Sequence, residues 1–172
     1  MRLFIAINFE KSVIDEIIAI QNQLRNQAVK GNFTREENLH LTLVFLGAIE
    51  EKKIDLIERA MNEITIPSFD LIFNKMGHFS RDAGDIWWIG AEENQFLFDM
   101  QKKLSAYLSK LGFSIERRGF KPHLTLGREV ILREKPLISL SKISSRVSKI
   151  YLMKSERING KLTYTAIYTK EL

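Results

Sequence analysis

His40-Leu41-Thr42-Leu43 and His123-Leu124-Thr125-Leu126 are the same tetrapeptide written twice in one chain. Each copy sits in an apolar run with strand character. Along a strand, successive side chains point to opposite faces. His40 and Thr42 then share one face, and Leu41 and Leu43 share the other. The same division holds for His123 and Thr125 against Leu124 and Leu126. The leucines are placed to anchor each strand to a core, and the His and Thr to stand side by side on the open face.

The surroundings of the two copies also correspond. Arg2–Phe9 reads as a strand with Leu3, Ile5 and Ile7 on one face. Ser12 is a candidate N-cap for a helix carrying Val13, Ile14, Ile17, Ile18 and Leu24 at helical spacing, which Gly31 ends. The strand Leu39–Leu46 comes after it, closed by Gly47. In the second half, Asp85–Ile89 reads as a strand and Asn94–Leu111 as a helix. The helix stripe is Leu97, Met100, Leu104, Tyr107 and Leu108, with Gly112 at C′. The strand from His123 to Arg128 comes next. Strand, helix, HLTL strand is thus a repeated order, read as two related lobes joined without a linker.

The rest fills in around that repeat. Ile54–Ile64 reads as a helix stopped by Pro67. Ser68–Met76 reads as a strand, separated from Asp85–Ile89 by the turn-forming SRDAG loop. Phe113–Glu116 is a strand candidate, and Ser139–Ser148 reads as short helix or loop. Val147–Met153 and Leu162–Thr169 are strands joined through Asn159-Gly160. Interspersed helices and strands indicate an α+β domain, taken as one unit over residues 1–172.

Composition narrows the chemistry. The chain has 172 residues, 45% hydrophobic, enough for one compact domain. With no cysteine, disulfides, thiolate metal sites and cysteine nucleophiles are excluded. The opening MRLFIAINFE lacks a signal-peptide layout. No apolar run approaches the ~20 residues of a membrane span. The expectation is a soluble cytoplasmic protein with no membrane association. The net charge is +5, unevenly distributed. From Lys110 onward there are 14 Lys+Arg against 5 Asp+Glu, a balance that suits a polyanionic partner such as nucleic acid.

Two imidazoles and two hydroxyls facing each other across a cleft suit a phosphate. Thr hydroxyls donate to nonbridging oxygens. One neutral imidazole can take a proton from attacking water while a second, protonated, gives one to the departing sugar oxygen. Histidine suits both roles because its ordinary pKa lies near neutrality. The spacing of the two histidines is not a zinc signature, so no metal and no cofactor are expected. The third histidine, His78, has no such context and reads as a loop residue. Of Trp87 and Trp88, adjacent on a strand, one faces in as core and one out. Phe4 reads as core.

The paired motifs resemble those of the two-histidine (2H) phosphoesterase superfamily. Within it, the sequence is similar to the RNA 2',3'-cyclic phosphodiesterases, also called 2'-5' RNA ligases. The likeness rests on RLFIAI at the start and on Asn38-Leu39 and Phe45-Leu46-Gly47 around the first tetrapeptide. It extends to the run Arg118–Arg128 around the second, and to Ser155, Gly160 and Tyr164 near the end. Phe33 stands where members often carry tryptophan, a change expected to affect packing alone. The resemblance implies a bilobal α+β fold, with an antiparallel sheet in each of two pseudo-symmetric lobes, helices outside and the active-site cleft between. It implies hydrolysis of an RNA or oligonucleotide 2',3'-cyclic phosphate end to a 2'-phosphate, with reversible 2'-5' joining, and no obligate protein partner. His40 would be the proton donor and His123 the acceptor. Thr42 and Thr125 would hold the phosphate, with cationic help from Arg128 and the candidate Arg118. Arg128 lies five residues past His123, so a strand end or a bulge must turn it into the cleft. Small cyclic nucleotides as substrates and an idle RNA-binding module are the alternatives.

Overall fold

The computed structural model describes residues 1–172. Nine strands and three helices succeed one another as β1 (Arg2–Ile7), α1 (Lys11–Gln27), β2 (Ala28–Phe33), β3 (Leu41–Ala48), α2 (Ile54–Asn62), β4 (Phe69–Phe79), β5 (Asp85–Ala91), α3 (Gln95–Lys110), β6 (His123–Leu132), β7 (Ile143–Val147), β8 (Lys149–Ile158) and β9 (Lys161–Glu171). The fold is α+β and bilobal. The strands run β7-β4-β5-β6-β3-β1-β8-β9, with β2 attached to β6, and every pairing is antiparallel. From the middle outward, the order is symmetric. The unit β1-α1-β3 in one half matches β5-α3-β6 in the other, and β8 flanks β1 as β4 flanks β5. The expected repeat is therefore the organising feature of the sheet.

Backbone joins the two halves through β2, which lies between α1 and β3 in the chain yet pairs with β6, and at one place between the central strands. β3 and β6 share a single register pair, Leu41 with Leu124. Both leucines are fully buried. Side-chain packing carries the rest of the joint. One cluster of 37 buried residues takes in Leu3, Ile5 and Ile7 of β1, the stripes of all three helices, and the leucines of both tetrapeptides. The opposite face of β1 carries a separate small cluster, Phe4, Ala6 and Met153, with Tyr151 and Tyr164 against it. That second face is the one that borders the cleft. No helix is long and apolar enough to cross a membrane.

Local chemistry explains most boundaries. α3 begins at Asn94, whose side chain accepts a hydrogen bond from the Leu97 N–H. It ends with Gly112 at φ +87°, where Phe113 N–H bonds to the Leu108 carbonyl and Gly112 N–H to that of Ser109. This double bond pattern is a Schellman exit. It occupies the backbone of residue 113, and the segment 113–116 is not the strand that its apolar residues suggested. α1 starts one residue before Ser12, with Glu10 at the cap and no side-chain cap bond. It ends at Gln27 rather than at Gly31, because β2 begins at Ala28. Residues 143–147 form β7, an edge strand alternating Ile143, Ser145 and Val147 inward, where a short helix or loop was expected. The Asn159-Gly160 turn has both residues at positive φ, the requirement of a tight type I′ hairpin. His78 lies near the end of β4, not in a loop.

Because the joint rests on packing around Leu41 and Leu124, Leu124→Ala is expected to lose about 2–5 kcal/mol, the usual cost of a buried Leu→Ala cavity. Leu137→Ala, at a side chain 86% exposed, should stay within about 0.5 kcal/mol. Urea unfolding of the two variants measures the difference.

Candidate active site

The Leu41–Leu124 pair brings the starts of β3 and β6 side by side, and each start carries a histidine. His123 opens β6 and His40 immediately precedes β3. The pleat does the rest: Leu41, Leu43, Leu124 and Leu126 are buried in the core, while His40, Thr42, His123 and Thr125 line one cleft of about 1150 Å³.

Each imidazole is fixed in the same manner. His40 Nδ1 lies 2.7 Å from the Asn38 carbonyl, and His123 Nδ1 lies 2.6 Å from the Lys121 carbonyl. A carbonyl only accepts, so Nδ1 carries the hydrogen in both rings. That leaves Nε2 of each ring free for other partners. His40 Nε2 is 2.9 Å from Thr42 Oγ1, and with Nδ1 protonated the neutral ring accepts from that hydroxyl. The rings are held laterally by aromatic contacts. Phe4 and Tyr164 pack on His40 with centroids 4.9 and 5.1 Å away, and Phe79 meets His123 edge-on at 5.3 Å.

Beyond each threonine the strand breaks its alternation by one residue. On β3, Thr42 pairs with Ala6 and Val44 with Ile5, so Leu43 is an extra residue. On β6, Thr125 pairs with Trp88 and Gly127 with Trp87, so Leu126 is extra. These are β-bulges, and each flips the facing of the residues that come after it. Arg128 is thereby turned into the cleft, as required. The equivalent residue on β3, Phe45, is also turned into it and is 57% exposed. Phe45 belongs to the stretch that carries the family likeness, but its apolar surroundings do not mark it as a site residue. The signal that could have found it is its offset of five residues from His40, the same as that of Arg128 from His123.

Other expected residues separate into cleft and scaffold. Arg118 lines the rim, largely exposed and 2.9 Å from Glu116. Ser155 and Tyr164 line the cleft, with Arg2, Arg81, Lys121 and Arg157. Arg2 and Arg81 come from the acidic part of the sequence, so the basic lining draws on both halves. Phe4 is buried as expected, yet it faces the cleft-side cluster rather than the main core. Trp87 is core and Trp88 lies on the cleft-side face behind His123, centroids 6.2 Å apart. His78 stacks on Trp87 and is absent from the cleft lining. Phe33 packs over Gly127 and under the Arg25 guanidinium. No group of three or more His, Asp or Glu side chains converges to hold a metal ion.

Electrostatics favour neutral imidazoles in this cleft. Burial is the main cause that lowers the pKa of His40, opposed by its bond to the Asn38 carbonyl. The charges of Arg128 and His123 lower it further. Burial and Arg128 lower His123 in the same way, against its bond to the Lys121 carbonyl. Arg128 is therefore close enough to act on both rings, and the cleft is short of negative charge.

Comparison with known proteins gives a consistent set of relatives. Residues 7–88 match the family described as LigT like phosphoesterase. The chain is 35% identical over 131 residues to an RNA 2',3'-cyclic phosphodiesterase of Thermotoga maritima, covering 74% of this chain and 70% of that protein. It is 34% identical over 141 residues to one of Archaeoglobus fulgidus, covering 81% and 77%. Escherichia coli LigT, solved in complex with 3'-AMP, superposes with a TM-score of 0.89 at 26% identity, covering 99% of this chain and 97% of that one.

The depressed pKa values carry a signed consequence. The unfolded chain binds protons on these histidines more readily than the folded one. The stability they contribute is present above 6.5 and is lost as pH falls through the folded midpoints. An NMR titration of the ring protons should give midpoints below 6.5 for both His40 and His123. Added inorganic phosphate should raise both, because an anion in the cleft favours the imidazolium.

Proposed function

The chain belongs to the LigT-like phosphoesterase family, and from that premise we propose that it is an RNA 2',3'-cyclic phosphodiesterase. In this reading it opens the cyclic phosphate by acid–base catalysis between His40 and His123 and leaves a 2'-phosphate. The observation that carries the reading is that His40, Thr42, His123 and Thr125 line one cleft, with both Nδ1 atoms committed to main-chain carbonyls and Arg128 acting on both rings.

The chemistry runs as an in-line displacement. Neutral His123 takes a proton from water through Nε2 as the water oxygen attacks phosphorus. The bond from phosphorus to the 3' oxygen breaks on the opposite side. His40, protonated at Nε2, gives its proton to that oxygen. The ribose then carries a 3'-hydroxyl and a 2'-phosphate. Thr42, Thr125 and Arg128 hold the nonbridging oxygens, where charge builds up in the transition state. Binding the phosphodiester anion supplies the negative charge that the cleft itself lacks, which raises His40 toward its protonated form. A 5'-hydroxyl of a second strand entering in place of water would, by the same displacement at phosphorus with loss of the 3' oxygen, leave the two strands joined through a 2'-5' linkage.

An RNA end fits better than a small cyclic metabolite. Five arginines and Lys121 line the cleft, against Glu116 alone among acidic residues. Phe45 presents an exposed ring on which a base can stack. The reading carries the expectations of a cytoplasmic, metal-independent enzyme acting without an obligate protein partner, with residues 1–172 as one bilobal domain.

With an oligonucleotide ending in 2',3'-cyclic phosphate, activity should persist in EDTA and the product should carry a 2'-phosphate. His40→Ala and His123→Ala should each cost roughly 10²–10⁴-fold in rate, and His78→Ala little. Loss of activity on chelation, restored by a divalent ion, contradicts the two-histidine chemistry. Turnover of small cyclic nucleotides alone would favour the metabolite reading. Binding without turnover would favour an idle RNA-binding module.

Charge reversal supplies an independent check. Reversal at Arg128 or Arg118 should weaken RNA binding or turnover more than reversal at Lys52 or Lys53. The lysines pair with Glu50 and lie off the cleft. RNA affinity should fall steeply with salt as counterions are released. Equal effects at both pairs contradict a basic cleft as the substrate surface.

A further inference from the structure

α1 buries an apolar stripe of Val13, Ile14, Ile17, Ile20 and Leu24, and Gln21 lies in the middle of it. The side chain is only 3% exposed. A buried amide is costly unless its hydrogen bonds are made. Gln21 Nε2 makes two, to the Thr34 carbonyl at 2.8 Å and to the Leu126 carbonyl at 2.9 Å. Both acceptors lie beside the β6 bulge.

The bulge needs such partners. β2 pairs with β6 only as far as Phe33 with Gly127, and β3 pairs with it only at Leu41 with Leu124. The intervening carbonyls of Thr125 and Leu126 have no strand opposite them on that side. Thr34 serves both, its hydroxyl donating to the Thr125 carbonyl and its N–H to that of Leu126, each at 2.9 Å. Gln21 ties Thr34 and Leu126 together from behind. One amide on α1, in the β1-α1-β3 half, thereby clamps the backbone that carries Thr125 on one side of the extra residue and Arg128 on the other.

We propose that Gln21 is a positioning residue for the reaction: its amide, acting with Thr34, holds the β6 bulge so that Thr125 and Arg128 meet the phosphate. It touches no substrate and acts through those two side chains. This inference rests on the proposed role of Arg128.

The test is a double-mutant cycle on hydrolysis of an oligonucleotide 2',3'-cyclic phosphate, using Gln21→Met, Arg128→Ala and their combination. Thr34→Val is measured in both backgrounds as a second probe of the same bulge, in case Gln21→Met does not fold. Melting temperatures are recorded for all variants. With Arg128 present, loss of the clamp should lower kcat/KM by roughly 10- to 100-fold, the scale of a misplacement of about 1 Å. With Arg128 already replaced, the same substitution should cost several-fold less, because one of the two groups it positions is gone. Equal losses in the two backgrounds overturn the inference and reduce Gln21 to a general stabiliser. No loss in either background overturns it as well. If Arg128→Ala alone leaves kcat/KM intact, the reading of Arg128 itself fails. That result is recognisable from the single variant, whatever Gln21 does.

Discussion

Leu41 and Leu124 meet in the only register pair between β3 and β6, and the cleft takes its geometry from that joint. A strand's pleat lets one buried leucine fix the direction of its neighbours. With both leucines committed to a shared core, His40 and His123 are brought to the same edge of the open face, with Thr42 and Thr125 behind them. A slip of one residue on either strand would send its histidine into the core and its leucine into the cleft. Burial of Leu41, Leu43, Leu124 and Leu126 therefore guards the register as much as it stabilises the fold.

The joint also sets the electrostatics. Two imidazoles and a guanidinium share a partly desolvated space without a facing carboxylate, so the cleft by itself disfavours protonated histidine. A phosphodiester anion is the electrostatic complement. In the proposed reaction, binding of such an anion and protonation of His40 support each other. Fixing Nδ1 of each ring to a main-chain carbonyl adds preorganisation, since Nε2 needs no tautomer change to meet its target.

Much of this is legible in the residues alone. The repeated tetrapeptide contains the pleat, the core-facing leucines and the cleft-facing pairs, because alternation is a property of backbone geometry. The same parity requires a strand end or a bulge to turn Arg128, and the structure has the bulge. Phe45 obeys that parity too, but an aromatic ring in an apolar run is hard to tell from core. The harder elements are those whose residues do not advertise a strand. β2 is Ala-Val-Lys-Gly-Asn-Phe, mostly exposed, and is held by pairing to β6 rather than by an apolar face. β7 buries Ser145 between Ile143 and Val147, so its alternation is concealed by a small polar residue. The segment 113–116 misleads in the opposite sense, apolar but committed to the helix exit. Gln21 leaves a visible trace, a lone polar side chain at a core position of α1. Its partners lie 13 and 105 residues away, and only the fold brings them together.

The proposed mechanism turns on a division of labour between the two histidines, and one substrate isolates it. In an oligonucleotide whose cyclic phosphate carries sulfur at the 3' position, the leaving atom departs readily without a proton. Rates on this substrate, compared with the natural one, measure the need for the acid alone. His40→Ala should recover much of its lost activity, whereas His123→Ala should recover little, since it still lacks the base that activates water. Rescue of His123→Ala instead would reverse the assignment. Rescue of neither would contradict proton transfer to the 3' oxygen as the task of His40.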